Sequence, residues 1–203
     1  MSRLVTIVVL GVLLGLGEAA MHGQVLAPGR DFSLPRAEVS LTYSPTRNNS
    51  GPGQCGCFFM NGATIEGNFR TYRGFTTVVD LTAEHTAQIH NTGQPFSMAM
   101  LTAGTRLNYR LGGDRFYRYK PFIQGLVGAA RGFNSAFPDK AGFIHPTANS
   151  VALLIGVGFD VKYRRLLSFR AFQFDYGYTR LPNGSSNDQN LFRISSGVTV
   201  HLF

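Results

Sequence analysis

The side chains here that could do covalent or acid–base chemistry are few and stand far apart. Histidine occurs at His22, His85, His90, His145 and His201. A Ser-His-acid mechanism requires a nucleophile, a base and an orienting group within hydrogen-bond reach of one another. His85 directly follows Glu84, so in an extended chain the two point to opposite faces, and His201 could meet Ser195 only across several residues of one strand. An ester-cleaving Ser–His pair on one strand face would need the two residues two apart, and no such pair occurs. The sequence predicts no catalytic residue and no enzymatic activity.

Cys55 and Cys57 form Cys-Gly-Cys within the stretch SGPGQCGC. Zinc would need a third and a fourth ligand at metal-site spacing, and none is present, so no metal is expected. Gly156-Val157-Gly158 and the glycines from Gly125 to Gly132 carry no Gly-Lys-Ser/Thr and precede no helical pattern. That removes a phosphate loop, and no cofactor is expected. Small residues there fit a curved wall on which neighbouring strands and side chains pack closely.

What the cysteines do depends on their compartment. Arg3 precedes the apolar run Leu4 to Leu16, too short to span a bilayer comfortably, and small residues follow at Gly17 and Ala19. Residues 1–19 are read as a cleavable signal peptide, 20–35 as an N-terminal periplasmic segment and 36–203 as the folded domain. Export places Cys55 and Cys57 in an oxidising environment, where a short disulfide between them is expected.

Of the 203 residues 44% are hydrophobic and only 15% charged, and 19 Lys+Arg against 11 Asp+Glu leave a net charge of +8. The excess is scattered, with no run of five or six like charges, so nucleic acid is not expected as a partner. The densest basic group, Arg110, Arg115, Arg118 and Lys120, reads as a solvated turn near a membrane face. Outside the N-terminus the longest apolar run, Val151 to Phe159, is far short of a spanning helix, which excludes a multi-helix membrane protein.

From Arg36 onward the hydrophobic pattern has a period of two, broken by clusters of Gly, Pro, Asn and Asp. Eight strands are predicted, at about 36–44, 58–70, 75–85, 96–111, 120–131, 149–163, 167–180 and 191–202. Connections at 45–57, 86–95, 132–148 and 181–190 are long, and those between them mostly shorter. An even strand count with long loops at one end and short turns at the other is the pattern of an antiparallel up-and-down transmembrane β-barrel.

Parity assigns the faces. Phe172, Phe174, Tyr176 and Tyr178 oppose Gln173, Asp175 and Thr179, while Phe192, Ile194, Val198, Val200 and Leu202 oppose Arg193, Ser195, Thr199 and His201. Glu38, Glu66, Asp80, Glu84, Arg106, Asp160, Lys162, Asp175 and Arg193 all take the polar parity and are expected to meet in the lumen. An eight-stranded barrel has an interior only wide enough for its own side chains, so these charges should pair into a plug. Two residues break the pattern. Arg170 shares the parity of Phe172, which calls for a bulge near Ala171 or a place near the headgroups, and Phe203 falls inward where Leu202 falls outward. A soluble exported barrel holding a small apolar ligand would turn the apolar face inward, and a narrow pore would leave the lumen open; both stand as alternatives. The connection 132–148, with Phe133, Phe137, Phe143 and His145, either binds a surface partner or folds over the barrel mouth.

Residues 55–63 (CGCFFMNGA), 104–110 (GTRLNYR), Lys120-Pro121-Phe122 with Gln124, and 172–184 (FQFDYGYTRLPNG) resemble the small outer-membrane β-barrel family, in particular its OmpA-like eight-stranded barrels. The resemblance covers about 36–203. It implies residence among outer-membrane lipid of a Gram-negative-type bacterium, insertion by the barrel-assembly machinery, and a porin-like architecture often without enzymatic activity.

Overall fold

The computed structural model describes residues 37–49, 57–72, 74–89, 94–109, 119–138, 143–182 and 187–202. The segments 1–19 and 20–35, Cys55 and Phe203 lie outside them.

Nine antiparallel strands form one sheet: β1 (Ala37–Tyr43), β2 (Thr46–Asn48), β3 (Phe58–Tyr72), β4 (Phe75–Thr86), β5 (Phe96–Asn108), β6 (Tyr119–Pro138), β7 (Ile144–Lys162), β8 (Leu167–Thr179) and β9 (Gln189–Leu202). From β3 onward each pairs with the next in sequence, and β1 and β2 both pair with β3 on one side and β9 on the other, so the sheet closes on itself. β1 and β2 are two halves of one stave. Pro45 has no N–H to give the ladder, so the strand is interrupted there. Ser44 N still donates to Gly62 O at 2.9 Å, and Pro45 O still accepts from Ile194 N at 3.0 Å. The ring thus has eight staves.

Register fixes its width. Stepping across paired residues from Glu38 through Asn68, Val78, Gly104, Leu126, Leu154, Gly177 and Leu191 returns to Asn48, ten residues further along the starting stave. With strands about 4.8 Å apart and a rise of about 3.3 Å per residue, that stagger gives a tilt of about 41° and a backbone radius of about 8 Å. Side chains alone fill such a cylinder.

The two faces are opposite in character. Leu81, Phe174 and Val200 are 50%, 47% and 43% exposed, whereas Asp80, Arg106 and Asp175 are 0%, 1% and 2%. Apolar side chains therefore point outward all round the ring and ionised ones inward. That rules out the soluble barrel with an apolar interior, because in water such an outer surface would have nothing to cover it. In a bilayer it meets acyl chains, and closure of the ring lets each stave pair its backbone with a neighbour on both sides.

One feature departs from the sequence reading, and the bulge called for near Ala171 is present. The region 132–148 is mostly strand: β6 continues to Pro138 and β7 begins at Ile144, with Phe133 opposite Thr147 and Phe137 opposite His145. Asn134 takes a left-handed φ of 58°, and the register shifts between Phe133 and Phe137. The Gly-Phe-Asn-Ser chemistry that reads as a loop is a bulge inside a long hairpin. Arg170, in turn, enters the lumen because the chain bulges next to it: Asp160 pairs with Arg170 but Phe159 with Phe172, leaving Ala171 extra, and both Ala171 and Phe172 are exposed.

Candidate functional site: an ionic lumen under an apolar stopper

Side chains occupy the lumen in tiers from the short-turn end to the long-loop end. At the turn end Lys120 Nζ donates to both carboxylate oxygens of Glu38, at 2.8 and 3.1 Å. His201 Nδ1 lies 3.1 Å from Glu38 Oε1, and its Nε2 lies 2.5 Å from Ser168 Oγ. This tier ties the first strand to the last.

The next tier is built on Glu66. Arg106 Nη2 donates to Glu66 Oε2 at 2.6 Å and Arg170 Nη1 to Glu66 Oε1 at 2.9 Å, while Arg170 Nε donates to Asp160 Oδ1 at 2.9 Å. The Phe122 ring lies against both guanidiniums, 3.8 Å from Arg106 and 4.9 Å from Arg170. Gly158 gives the ring its room, since a Cβ there would overlap Phe122.

Above it Arg193 Nη2 donates to Asp80 Oδ2 and Nε to Asp175 Oδ2, both at 3.0 Å. Thr82 Oγ1 adds a bond to Asp80 at 2.8 Å. Two glutamines couple the tiers. Gln124 accepts from Arg106 Nε at 3.0 Å and donates to Asp175 at 3.1 Å, and Gln173 accepts from Arg170 at 2.7 Å and donates to Asp175 at 2.8 Å. Each amide turns its oxygen to a cation and its N–H to an anion, so each end stabilises the charge it meets.

Toward the loops the interior changes character. Glu84 is buried with one oxygen accepting from Thr46 at 2.5 Å and its Oε2 without a partner among the described residues. Beyond it Met60, Met98, Met100, Phe96, Phe137, Ala130, Ala152, Leu154, Leu181 and Leu191 pack into an apolar stopper, with Phe58 against it. Phe96 meets Phe58 and Phe137 edge to face at 5.8 and 6.0 Å. The lumen is polar below and oily above.

Of the nine charged residues expected in the lumen, Glu38, Glu66, Asp80, Arg106, Asp160, Asp175 and Arg193 lie in these tiers. Glu84 lies among them in space but meets a hydroxyl, not a cation. Lys162 sits half-buried at the turn end and makes no ion pair among the described residues. The expected lumen set omits Arg170, Gln124 and Gln173, although Gln173 takes the polar face and Arg170 calls for a bulge, and Lys120, read as part of a solvated turn, reaches inward to Glu38. Gln124 and Gln173 carry the inward parity, which was the available signal. Cys57 is exposed just before β3, and the pairing expected of it falls on Cys55, outside the described residues.

A cross-strand pair was also missed. His85 Nδ1 and Ser97 Oγ lie 2.9 Å apart, and Asn134 Nδ2 donates to the same oxygen at 3.3 Å. The pair needs adjacent strands in register, which a search along one strand does not see. Ser97 is only 6% exposed, and Glu84 points the other way, into the lumen.

These features define a transmembrane β-barrel whose interior, among the described residues, holds ionic tiers toward one end and an apolar stopper toward the other. No family model and no curated protein matches the chain. Solved structures do. The chain is similar to Neisserial surface protein A (15% identity, 82% of this chain and 97% of that one, TM-score 0.61). It is also similar to Ail of Yersinia pestis in complex with the heparin analogue sucrose octasulfate (14%, 82% and 98%, 0.54), and to the outer membrane protein OprG of Pseudomonas aeruginosa (9%, 83% and 96%, 0.50). The chain has the fold of the small eight-stranded outer-membrane barrels.

Proposed function

We propose that this protein is exported by its N-terminal signal, inserted among outer-membrane lipid by the barrel-assembly machinery, and acts there without enzymatic activity as a structural and surface-interaction barrel. The observation that carries this reading is the filled lumen. With arginine–carboxylate tiers below and an apolar stopper above, the described side chains stand in the way of a solute. A narrow pore is the weaker reading on that ground.

Function then falls to the surface that reaches beyond the rim. The β6–β7 hairpin projects past the ends of β5 and β8, and Phe143 and Ile144 at its tip are each 69% exposed. Phe137 instead turns inward to the stopper. One part of the 132–148 region thus shields the mouth, while the exposed apolar surface at Ile144 is offered to a surface partner. Ail, of the same fold, holds a heparin analogue, a precedent for a ligand on such a barrel.

Planar-bilayer recording tests the closed lumen: no stable openings are expected, and steady openings would contradict it. Adhesion of expressing cells to host or abiotic surfaces tests the tip. Phe143→Ser with Ile144→Ser should lower adhesion while heat-modifiable migration is kept, and unchanged adhesion would remove the hairpin from the account.

A further inference from the structure

The outward face is not uniform. Between β7, β8 and β9 its side chains part to leave a crevice of about 330 Å3, walled by Ile155, Val157, Phe174, Tyr176, Phe192 and Ile194. Its floor is the backbone of Gly156, Asp175 and Arg193, and the latter two send their charges the other way, into the lumen. The volume lies at the small end of ordinary ligand sites. Tyr176 supplies the one hydroxyl on the wall, and it is already engaged, donating to Asn190 at 2.7 Å.

An independent feature stands beside it. Arg47 on β2 is exposed on the outward face, opposite Phe192 on β9 and Phe59 on β3. It has no ion-pair or hydrogen-bond partner among the described residues. Phe192 belongs to both features, since it pairs with Arg47 on one side and with Tyr176 of the crevice wall on the other. Arg47 lies at the long-loop end, which in such barrels is the outer side. A guanidinium at the edge of an apolar band is complementary to a lipid phosphate, which it can bind with two parallel N–H donors.

We propose that Arg47 and the Phe192 crevice form one lipid site, which takes a phosphorylated, acylated glycolipid of the outer leaflet. The phosphate sits on Arg47 and an acyl chain lies along Phe192, Ile194 and Phe174. The site is independent of the hairpin tip and of any surface partner.

Native mass spectrometry of the full chain refolded in detergent with lipid A tests it. The wild type should retain one lipid A and lose dephosphorylated lipid A. Arg47→Gln should weaken retention roughly fivefold, the effect of one basic residue at a lipid surface, and Arg47→Lys should restore part of it. Ile194→Trp, which fills the crevice yet stays apolar, should weaken it too. Arg131→Gln removes an exposed arginine on β6, away from the crevice, and should change nothing. Heat-modifiable migration checks that each variant has folded. If Ile194→Trp does not fold, the Arg47 variants decide. The site is overturned if Arg47→Gln retains lipid A like the wild type. It is overturned equally if Arg131→Gln loses as much, or if phosphatidylglycerol displaces lipid A at equal concentration.

Discussion

Arg193 is the sharpest place to perturb the lumen. Its guanidinium lies between Asp80 and Asp175, each at 3.0 Å, and all three residues are at most 2% exposed. Arg193→Met keeps much of the aliphatic stem and removes the charge. Asp175 would still accept from Gln124 and Gln173, so the penalty falls mainly on Asp80, left with Thr82 as its hydrogen-bond donor. Removing one partner of a buried ion pair costs about 3–5 kcal/mol, most of it the uncompensated charge that stays behind. One such loss is expected here, not two. Urea titration in detergent micelles, followed by circular dichroism and by the folded fraction on unheated gels, measures it. Adding Asp80→Asn removes the stranded charge and should recover a substantial part of the loss. A destabilisation below about 1 kcal/mol, the size found for solvent-exposed pairs, would mean that the lumen is wet and would refute the reasoning. So would a double variant no more stable than the single one.

Other variants probe the remaining parts of the same structure. Gly156→Val should destabilise by more than Gly125→Val, because a Cβ at Gly156 would overlap Asp175 Oδ1 whereas nothing lies within 4 Å at Gly125; equal urea midpoints would contradict this. Met100→Ala in the stopper should cost about 2–5 kcal/mol through the cavity it leaves, yet produce no conductance in planar bilayers, because the ionic tiers still close the lumen. Leu81→Arg on the lipid face should cost about 2–4 kcal/mol in bilayer refolding if Leu81 is near the midplane, against a much smaller change for Arg at the already exposed Gln88.

Parity along β8 and β9 was readable because those strands keep one face apolar and the other polar for most of their length. Where both faces are apolar, alternation carries no sign. Met98, Met100, Leu154 and Leu191 are apolar like the lipid-facing residues, and only the inward parity they share with Arg106, Asp160 and Arg193 marks them for the lumen; that they pack there as a stopper follows from closure of the ring. Arg170 was visible as an exception but not as a lumen residue, since a bulge shifts parity by one and its position is set by the neighbouring strands. The long β6–β7 hairpin was hidden for a related reason: Gly132, Asn134 and Pro138 are turn-forming types, and here cross-strand pairing overrides that preference. Gln173 was placed on the inward face, but its coupling role and that of Gln124 were not read, because a search for charges overlooks the neutral amides that join charged pairs.

The central claim is the direction in which the two faces point, and the absence of tryptophan from the chain gives a clean way to measure it. Phe174→Trp and Phe122→Trp each place one fluorophore, the first on the outward face at a position 47% exposed, the second in the lumen at a position 4% exposed. In bilayers of lipids brominated along the acyl chain, strong quenching of the Phe174→Trp variant with little quenching of the Phe122→Trp variant is expected. Equal quenching of both, or stronger quenching of the lumen position, would contradict the account.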